Sequence, residues 1–414
     1  MSNSTDLDIA IVGGGLVGAS LACALSELDY RCALIEAVPL KADLQPSYDD
    51  RTLALNHTSC QILRGLGLWP EVRSRATAIR EILISELGRP GRVHLRSEDH
   101  GLDAFGHVVE AREYGAAVAS RLPDLPGLDF YCPARVSGIS QTDHQVRLTI
   151  DENQQQRHLT ARLVVAADGA RSSVRDMLAI KAAVHDYQQT AVIANVMPEQ
   201  AHENRAFERF TNTGPLAVLP NVEGRCGVVW TVERGRETTL LDCPDDEFIE
   251  RLQDRFGYRL GKLSKPGVRS SYPLYLVRSE RNVVGRVVII GNAAHTIHPV
   301  SAQGFNLGLR DVAVLAEILA ADQVDDPGEQ DLLYTFDKLR QDDQQATIRY
   351  TDTLARSFSN PSSLISHLRT LGMAAHELLP PLQRKLTLGA MGFRGPAPRL
   401  ARGQSVRMSH ASDG

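Results

Sequence analysis

The feature that most constrains this chain is a glycine turn set between a buried strand and a helix. Residues 8–12 (Asp-Ile-Ala-Ile-Val) are a short β-rich run. Gly13-Gly-Gly15-Leu-Val-Gly18 follows at once, and residues 19–28 place small and apolar side chains at helical spacing. A second apolar run, Cys32-Ala-Leu-Ile, ends in Glu36, which lies 18 residues beyond Gly18. Strand, turn, helix, strand and acid make the opening βαβ unit of a dinucleotide-binding sheet. The first glycine permits the tight turn, the second lets backbone approach a pyrophosphate, and the third lets helix pack on strand. The helix N-terminus offers free N–H groups and a positive dipole end to phosphates. The acid is placed to bond the adenosine ribose. No second such turn occurs, which favours one tightly held dinucleotide with any other visiting transiently.

With 414 residues the chain is too long for a single compact core, so at least two domains are expected. Its 43% hydrophobic content exceeds what a disordered chain carries, and a net charge of −5 gives no footprint for nucleic acid. The six cysteines form no C-x-x-C pair, which argues against a zinc site or disulfide framework and for a reducing, cytoplasmic setting. Residues 9–25 are uncharged. Asp6 and Asp8 precede them, no Lys or Arg does, and glycines crowd their centre, so they read as part of the fold rather than an export signal or a membrane span.

Further on, the sequence predicts a helix over 59–66, a hairpin over 82–95, a helix over 114–122 and strands from 129 to 165. Alternation over 191–232 predicts a second sheet. A strand over 286–290 precedes an amphipathic helix over 303–321, and residues 332–395 are helical in composition, broken at Asn360-Pro361 and Pro380-Pro381. Two later motifs carry chemistry. Residues 163–175 set Asp168-Gly169 at the end of a buried strand, with Ser172 and Arg175 beyond. Residues 287–311 run from strand through Gly291-Asn292 and a loop, His298-Pro-Val-Ser-Ala-Gln-Gly-Phe-Asn306, into a long helix. That helix start aims N–H groups at whatever lies before it, as the edge of a reduced flavin would require.

These three motifs, in this order and spacing, resemble the aromatic-hydroxylase group of FAD-dependent monooxygenases over nearly the whole chain. The segments Asp50-Arg-Thr-Leu-Ala-Leu, Ala206-Phe-Glu-Arg-Phe210, Thr213-Gly-Pro-Leu-Ala-Val-Leu-Pro220 and Gly224-Arg-Cys-Gly-Val-Val-Trp230 are similar to the ubiquinone-biosynthesis branch. The resemblance implies an α/β (α+β overall) fold of the p-hydroxybenzoate hydroxylase type. Its Rossmann-like FAD-binding domain (1–77, 101–180 and 276–330) carries an inserted, mainly β substrate domain (78–100 and 181–275). A C-terminal helical region (331–400) and a disordered tail (401–414) complete it. By motif, Gly13, Gly15, Gly18 and Glu36 hold the ADP half of FAD, and Asp168 and Gly169 serve FAD and NAD(P)H. Arg51 and Arg112 present cations to the cofactor. Asn292 bonds the ribityl–pyrophosphate region, and Pro299, Gly304, Phe305 and Asn306 lie against the flavin. Two positions depart from the family: Asn292 stands where Asp is usual, and Ala302 where Gly is usual, which strains the loop if φ there is positive.

The implied reaction hydroxylates a prenylated phenol, closest to 2-polyprenyl-6-methoxyphenol, with NAD(P)H and O₂, through a C4a-hydroperoxide of the flavin. The cofactor does the hard step, and the protein orients substrate and excludes water. No metal is implied and no catalytic residue is named; His295 and His298 read as loop-packing residues. The sheet around 187–230 and 272–274 is expected to face the flavin, with Phe210, Leu219 and Tyr272 as candidate substrate contacts. The C-terminal helices, residues 364–371 among them, either touch a membrane surface or another protein of the pathway, peripheral to the inner membrane, or simply close the FAD domain. Two other readings stay open: a hydroxylase of a small soluble aromatic, and a catalytically silent flavin-binding subunit.

Overall fold

The fold was obtained as a computed structural model that describes residues 5–40, 45, 49–321, 324–359, 391–392 and 397–407. Its first sheet is built on parallel strands in the order Val287–Ile289, Gln155–Ala166, Thr5–Val12, Cys32–Ile35 and Leu128–Tyr131. Strands covered on both faces need continuous apolar sequence, and Ile9, Ala10, Ile11, Ala33 and Leu34 are wholly buried. Helices Leu16–Leu25 and Gln303–Leu319 cover one face. On the other, Ala134–Gln141 and Val146–Glu152 form an antiparallel meander running on from Gln155–Ala166.

The second sheet has nine strands and centres on Ala182–Pro198, Cys226–Glu233, Gly214–Pro220 and Arg205–Thr211. The hairpin Glu81–Glu86/Arg92–Arg96 pairs onto its edge. Even-numbered residues of Cys226–Glu233, with Phe207 and Leu216, bury against helix Asp245–Phe256. The odd-numbered set therefore faces the other way, and a Cβ on Gly227 would meet Thr52. A three-stranded sheet, Thr52–Asn56, Gly106–Glu110 and Thr77–Ile79, lies between them.

Local signals shift two expected helices. The helix expected over 59–66 spans His57–Gly65, because Asn56 is extended and its side chain accepts from Ser59 N–H at 2.9 Å. The helix expected over 114–122 spans Ala111–Ala119 after the extended Glu110, which brings Arg112 into its first turn. Helix Gln330–Ser359 fills part of the expected C-terminal helical region; residues 364–371 and Pro380-Pro381 lie outside the described residues. The tail expected to be disordered from 401 is packed as far as Arg407. Val406 is buried and donates its N–H to Glu27, so a single apolar anchor with a capped backbone orders it.

Candidate functional site

At the C-terminal edge of the first sheet the glycine turn meets the Asp168 segment. Gly13 has φ +102°, and a Cβ there would lie 2.6 Å from the Ala167 carbonyl oxygen. A Cβ on Gly18 would lie 1.9 Å from the Gly13 carbonyl oxygen, so the helix sits on the turn as only glycine allows. Gly15 is the helix N-cap; no side chain caps it and no acid occupies the first turn, leaving the leading N–H groups to a ligand. Glu36 accepts from Gly14 N–H at 2.5 Å and from Val38 N–H at 2.7 Å. Each of its oxygens keeps a lone pair for a ribose hydroxyl.

Asp168 fixes the next turn through Oδ2, which accepts from Ser173 Oγ and Val174 N–H, both at 3.1 Å. Its Oδ1 is buried without a partner among the described residues. Gly169 (φ +83°) has nothing within 4 Å of where a Cβ would be. An orphaned acceptor beside open space, across from an uncapped helix, fits a polyol diphosphate such as FAD. Arg175 ties this segment to the third motif by donating to Ala293 O at 2.9 Å.

The third motif is held by a buried ionic cluster that the sequence reading did not single out. Asp311 is fully buried and accepts from Gly291 N–H (3.0 Å), His295 Nε2 (2.7 Å), Arg340 Nε (2.7 Å) and Gln344 Nε2 (3.0 Å). Burial alone would raise its pKa, but His295 and Arg340 overcome that and hold the carboxyl well below the usual range. Asp343 joins Arg340 (2.6 Å) to Arg310 (2.8 Å). The cluster binds the Gly291 turn, helix Gln303–Leu319 and helix Gln330–Ser359 into one piece. Gly291 and Gly308 also close on Val17 of the first helix, where added Cβ atoms would stand 3.1 and 2.9 Å from its methyls. Asn292 is exposed at this turn, and its amide meets no described residue.

After Pro299 the loop turns through Ser301 (φ +62°) and Ala302 (φ +49°, ψ +37°), so the alanine does occupy a left-handed conformation. A Cβ added to Gly304 would meet only Ile297, at 3.6 Å, and Phe305 packs edge-on against Tyr114. Asn306, expected against a flavin, is committed within the protein: it accepts from Asn56 N–H (2.9 Å) and donates to Ala54 O (2.9 Å) and Ala302 O (2.7 Å). It anchors strand Thr52–Asn56 beside the loop. His298 is wholly buried and accepts from Val300 N–H at Nδ1 (3.1 Å), which leaves Nε2–H facing Gln189 Oε1 at 3.3 Å. Burial lowers its pKa to about 4. It is a neutral spacer between loop and second sheet.

Arg51 and Arg112 flank the other side. Arg51 pairs with Asp49 (2.7 Å) and lies over the Tyr272 ring, whose hydroxyl donates to Asp49 at 2.7 Å. Arg112 bridges Asp50 (2.7 Å) and Glu110 (2.6 Å), and Glu110 also accepts from Asn195 and Asn221.

Strand register orders the sheet face turned toward these loops. One row runs Tyr272, Ala191, Thr231, Pro215, Phe210 and Glu86; the next runs Ser270, Ile193, Val229, Ala217, Glu208 and Ile84. Asn195, Gly227 and Leu219 begin a third. Leu219 packs with Ala206, Ala54 and Val108 beneath the strand that Asn306 anchors. Tyr272 and Phe210 stand four strands apart, roughly 19 Å at ordinary strand spacing, so one aromatic ring cannot touch both. Among the described residues of these rows there is no Lys or Arg.

Residues 6–351 match the FAD-binding-domain family. Ubiquinone hydroxylase UbiL of Rhodospirillum rubrum is 39% identical over 402 residues, covering 96% of this chain and 92% of that protein. The 3-demethoxyubiquinol 3-hydroxylase of Escherichia coli is 29% identical, covering 93% and 98%. Among solved structures, p-nitrophenol 4-monooxygenase PnpA of Pseudomonas putida superposes with a TM-score of 0.78 at 19% identity, covering 95% of this chain and all of that one.

Proposed function

The chain belongs to the FAD-binding-domain family of FAD-dependent monooxygenases, and on that basis we propose that it hydroxylates the ring of a polyprenylated phenol in ubiquinone biosynthesis. The proposed substrate is 2-polyprenyl-6-methoxyphenol, with NAD(P)H and O₂ as co-substrates. The observation that carries the choice of substrate class is the sheet face turned to the cofactor loops. Its rows hold Ala191, Ile193, Ala217 and Val229 and, among the described residues, no cation, whereas an aromatic acid would need one for its carboxylate. The nearly full-length similarity to ubiquinone hydroxylases supports the same class.

FAD, when bound, supplies the transfer of electrons from NAD(P)H to O₂ and of oxygen to the ring. In this reading the first helix and Gly13, Gly15 and Gly18 take the pyrophosphate, and Glu36 takes the ribose. Asp168 Oδ1 and Asn292 take cofactor hydroxyls. Pro299, Gly304 and Phe305 border the ring system while the Asp311 cluster keeps their loop in place. Arg51 and Arg112 set positive charge beside the cofactor, and the small apolar side chains of the sheet leave room for a ring and keep water out.

The test is mass spectrometry of quinone intermediates in a strain lacking the gene. Accumulation of a prenyl-methoxyphenol, with ubiquinone lost and restored by the gene, is expected. An unchanged ubiquinone pool would sink the pathway reading and turn the search to a soluble phenol. A silent flavin-binding subunit would hold FAD yet show no phenol-stimulated NAD(P)H oxidation.

A further inference from the structure

Glu208 lies at the centre of strand Arg205–Thr211, between Ala217 on one neighbouring strand and Ile84 on the other. Phe207 points into the core beneath the sheet, so alternation turns Ala206, Glu208 and Phe210 to the face that looks at the cofactor loops. Both ends of this stretch are tied to the flavin loop. Ala206 packs with Ala54, whose carbonyl accepts from Asn306. Beyond Phe210, Thr213 O accepts from Gln189, which meets His298. In its row of Ser270, Ile193, Val229, Ala217 and Ile84, Glu208 is the one ionisable side chain.

Its carboxyl forms no hydrogen bond or ion pair with any described residue, unlike Glu36, Glu110, Asp311 and Asp343. A buried carboxylate with a purely structural role is normally paired, because leaving its oxygens without a partner is strongly unfavourable. Burial pushes Glu208 up to about 7 with no charge contributing. The residue still retains part of its accessible surface. The side chain is thus surrounded by protein yet not sealed off.

We infer that Glu208 is the base that accepts the ring-hydroxyl proton of the bound phenol. The inference rests on the functional reading above. The phenol O–H bond breaks as an O–H bond forms on the Glu208 carboxylate. The electron pair stays on the ring oxygen and spreads to the ortho and para carbons, with no change in oxidation state. The ring is thereby made electron-rich at those carbons; once one of them has taken up oxygen it loses its own C–H proton, and Glu208 gives its proton back to the ring oxygen from which it came. A base titrating near the working pH is suited to both directions.

Neighbouring elements also carry titratable groups. Glu86 stands one row away on strand Glu81–Glu86, and strand Gly214–Pro220 contributes none. Helix Gln330–Ser359, in contact with strands Arg205–Thr211 and Gly214–Pro220, carries Tyr350, Asp352 and Arg356. Asp352 is held by Tyr187 (2.9 Å) and Arg356 (2.8 Å). His298 stays neutral above pH 4 or so.

The test uses FAD-loaded enzyme with 2-geranyl-6-methoxyphenol and its O-methyl ether from pH 5.5 to 8.5. Flavin absorbance follows binding, and product is counted against NAD(P)H consumed. Wild type is expected to hydroxylate the phenol with one acid limb near pH 7. Glu208→Gln should lose that limb and turn over about a hundredfold more slowly, with FAD content, phenol affinity and thermal midpoint undiminished. Glu208→Asp should recover part of the rate with the limb displaced. A Gln variant with the wild-type limb and a rate within threefold removes Glu208 from the reaction. Should the Gln variant not fold, an unmoved limb in the Asp variant does the same. Wild type that binds neither compound overturns the substrate reading and this proposal with it, whereas wild type that hydroxylates the phenol without an acid limb overturns only the base.

Discussion

Replacing Asp311 by Asn removes one negative charge from a balanced buried set of two carboxylates and two guanidiniums. Arg340 and Arg310 are then left to share Asp343 alone. The new amide also puts an NH₂ in place of one oxygen, facing either Gly291 N–H and His295 or Arg340 and Gln344, all of which donate in the native protein. Breaking a buried pair by deleting one partner costs about 3–5 kcal/mol. For a chain of 414 residues that is about 3–6 °C in thermal midpoint. Urea unfolding of FAD-loaded protein, followed by circular dichroism and flavin fluorescence, reads both stability and cofactor release. Flavin is expected to leave at lower urea than the helical signal, because the Gly291 turn loses its anchor first. The folded pKa of Asp311 is depressed, so its contribution is complete above the unfolded value of about 3.9 and is lost as pH falls below it. The Asn variant should lack that part of the acid sensitivity. A loss under about 1 kcal/mol with unchanged FAD affinity would refute the reasoning, since it would mean that this network carries no more than an exposed pair.

Ala302→Gly should stabilise the protein by about 0.5–1 kcal/mol. A left-handed alanine costs about 1–2 kcal/mol, and glycine gives back about 0.4–1 through the unfolded chain; chemical denaturation showing destabilisation beyond about 1 kcal/mol contradicts the strain. Gly18→Ala places a methyl 1.9 Å from a backbone carbonyl oxygen, so the purified protein should be colourless; a fully yellow variant disproves the cofactor placement. Arg112→Ala should weaken FAD binding roughly tenfold, yet change stability by no more than about 1 kcal/mol, because the guanidinium is nearly half exposed. FAD titration by fluorescence quenching decides it, and unchanged affinity removes Arg112 from the site. Burial lowers His298 to about 4, so the unfolded chain takes up its proton first. Stability should fall by up to about 1.4 kcal/mol per unit as pH drops from roughly 6.5 toward 4, and a His298→Gln variant should show a shallower slope.

The glycine turn, the apolar strands of the first sheet and the helix after Gln303 were legible in the sequence because each is a local pattern with a local cause. Strand order was not, since nothing in the neighbourhood of Tyr272 or Phe210 says how many strands separate them. Asn306 was legible as a loop residue, but not as the anchor of strand Thr52–Asn56, 250 residues earlier. The Asp311 cluster left one trace, Arg310-Asp311 inside an otherwise apolar helical stretch, while its partners Arg340 and Asp343 look like ordinary surface charges on their own helix. Glu208 left a similar trace as an acid two residues before Phe210 in an alternating strand. Which face it takes depends on register with strands not yet known.

The wedge of Val17 between Gly291 and Gly308 bears on how the protein is made. Strand Thr5–Val12 finds one parallel neighbour within 30 residues, but the other is Gln155–Ala166. The seat for Val17 lies nearly 300 residues downstream. At a synthesis rate of roughly 5–20 residues per second, the first helix waits on the order of 15–60 s before the surfaces that close on it leave the ribosome. The nucleotide cradle is therefore completed late, from the two distant ends of a long loop of chain. Until then its apolar strand edges are open to chaperones or to aggregation, and free FAD has only half a site to bind. Cofactor supply would then act on yield by capturing chains that have just closed rather than by guiding their early folding.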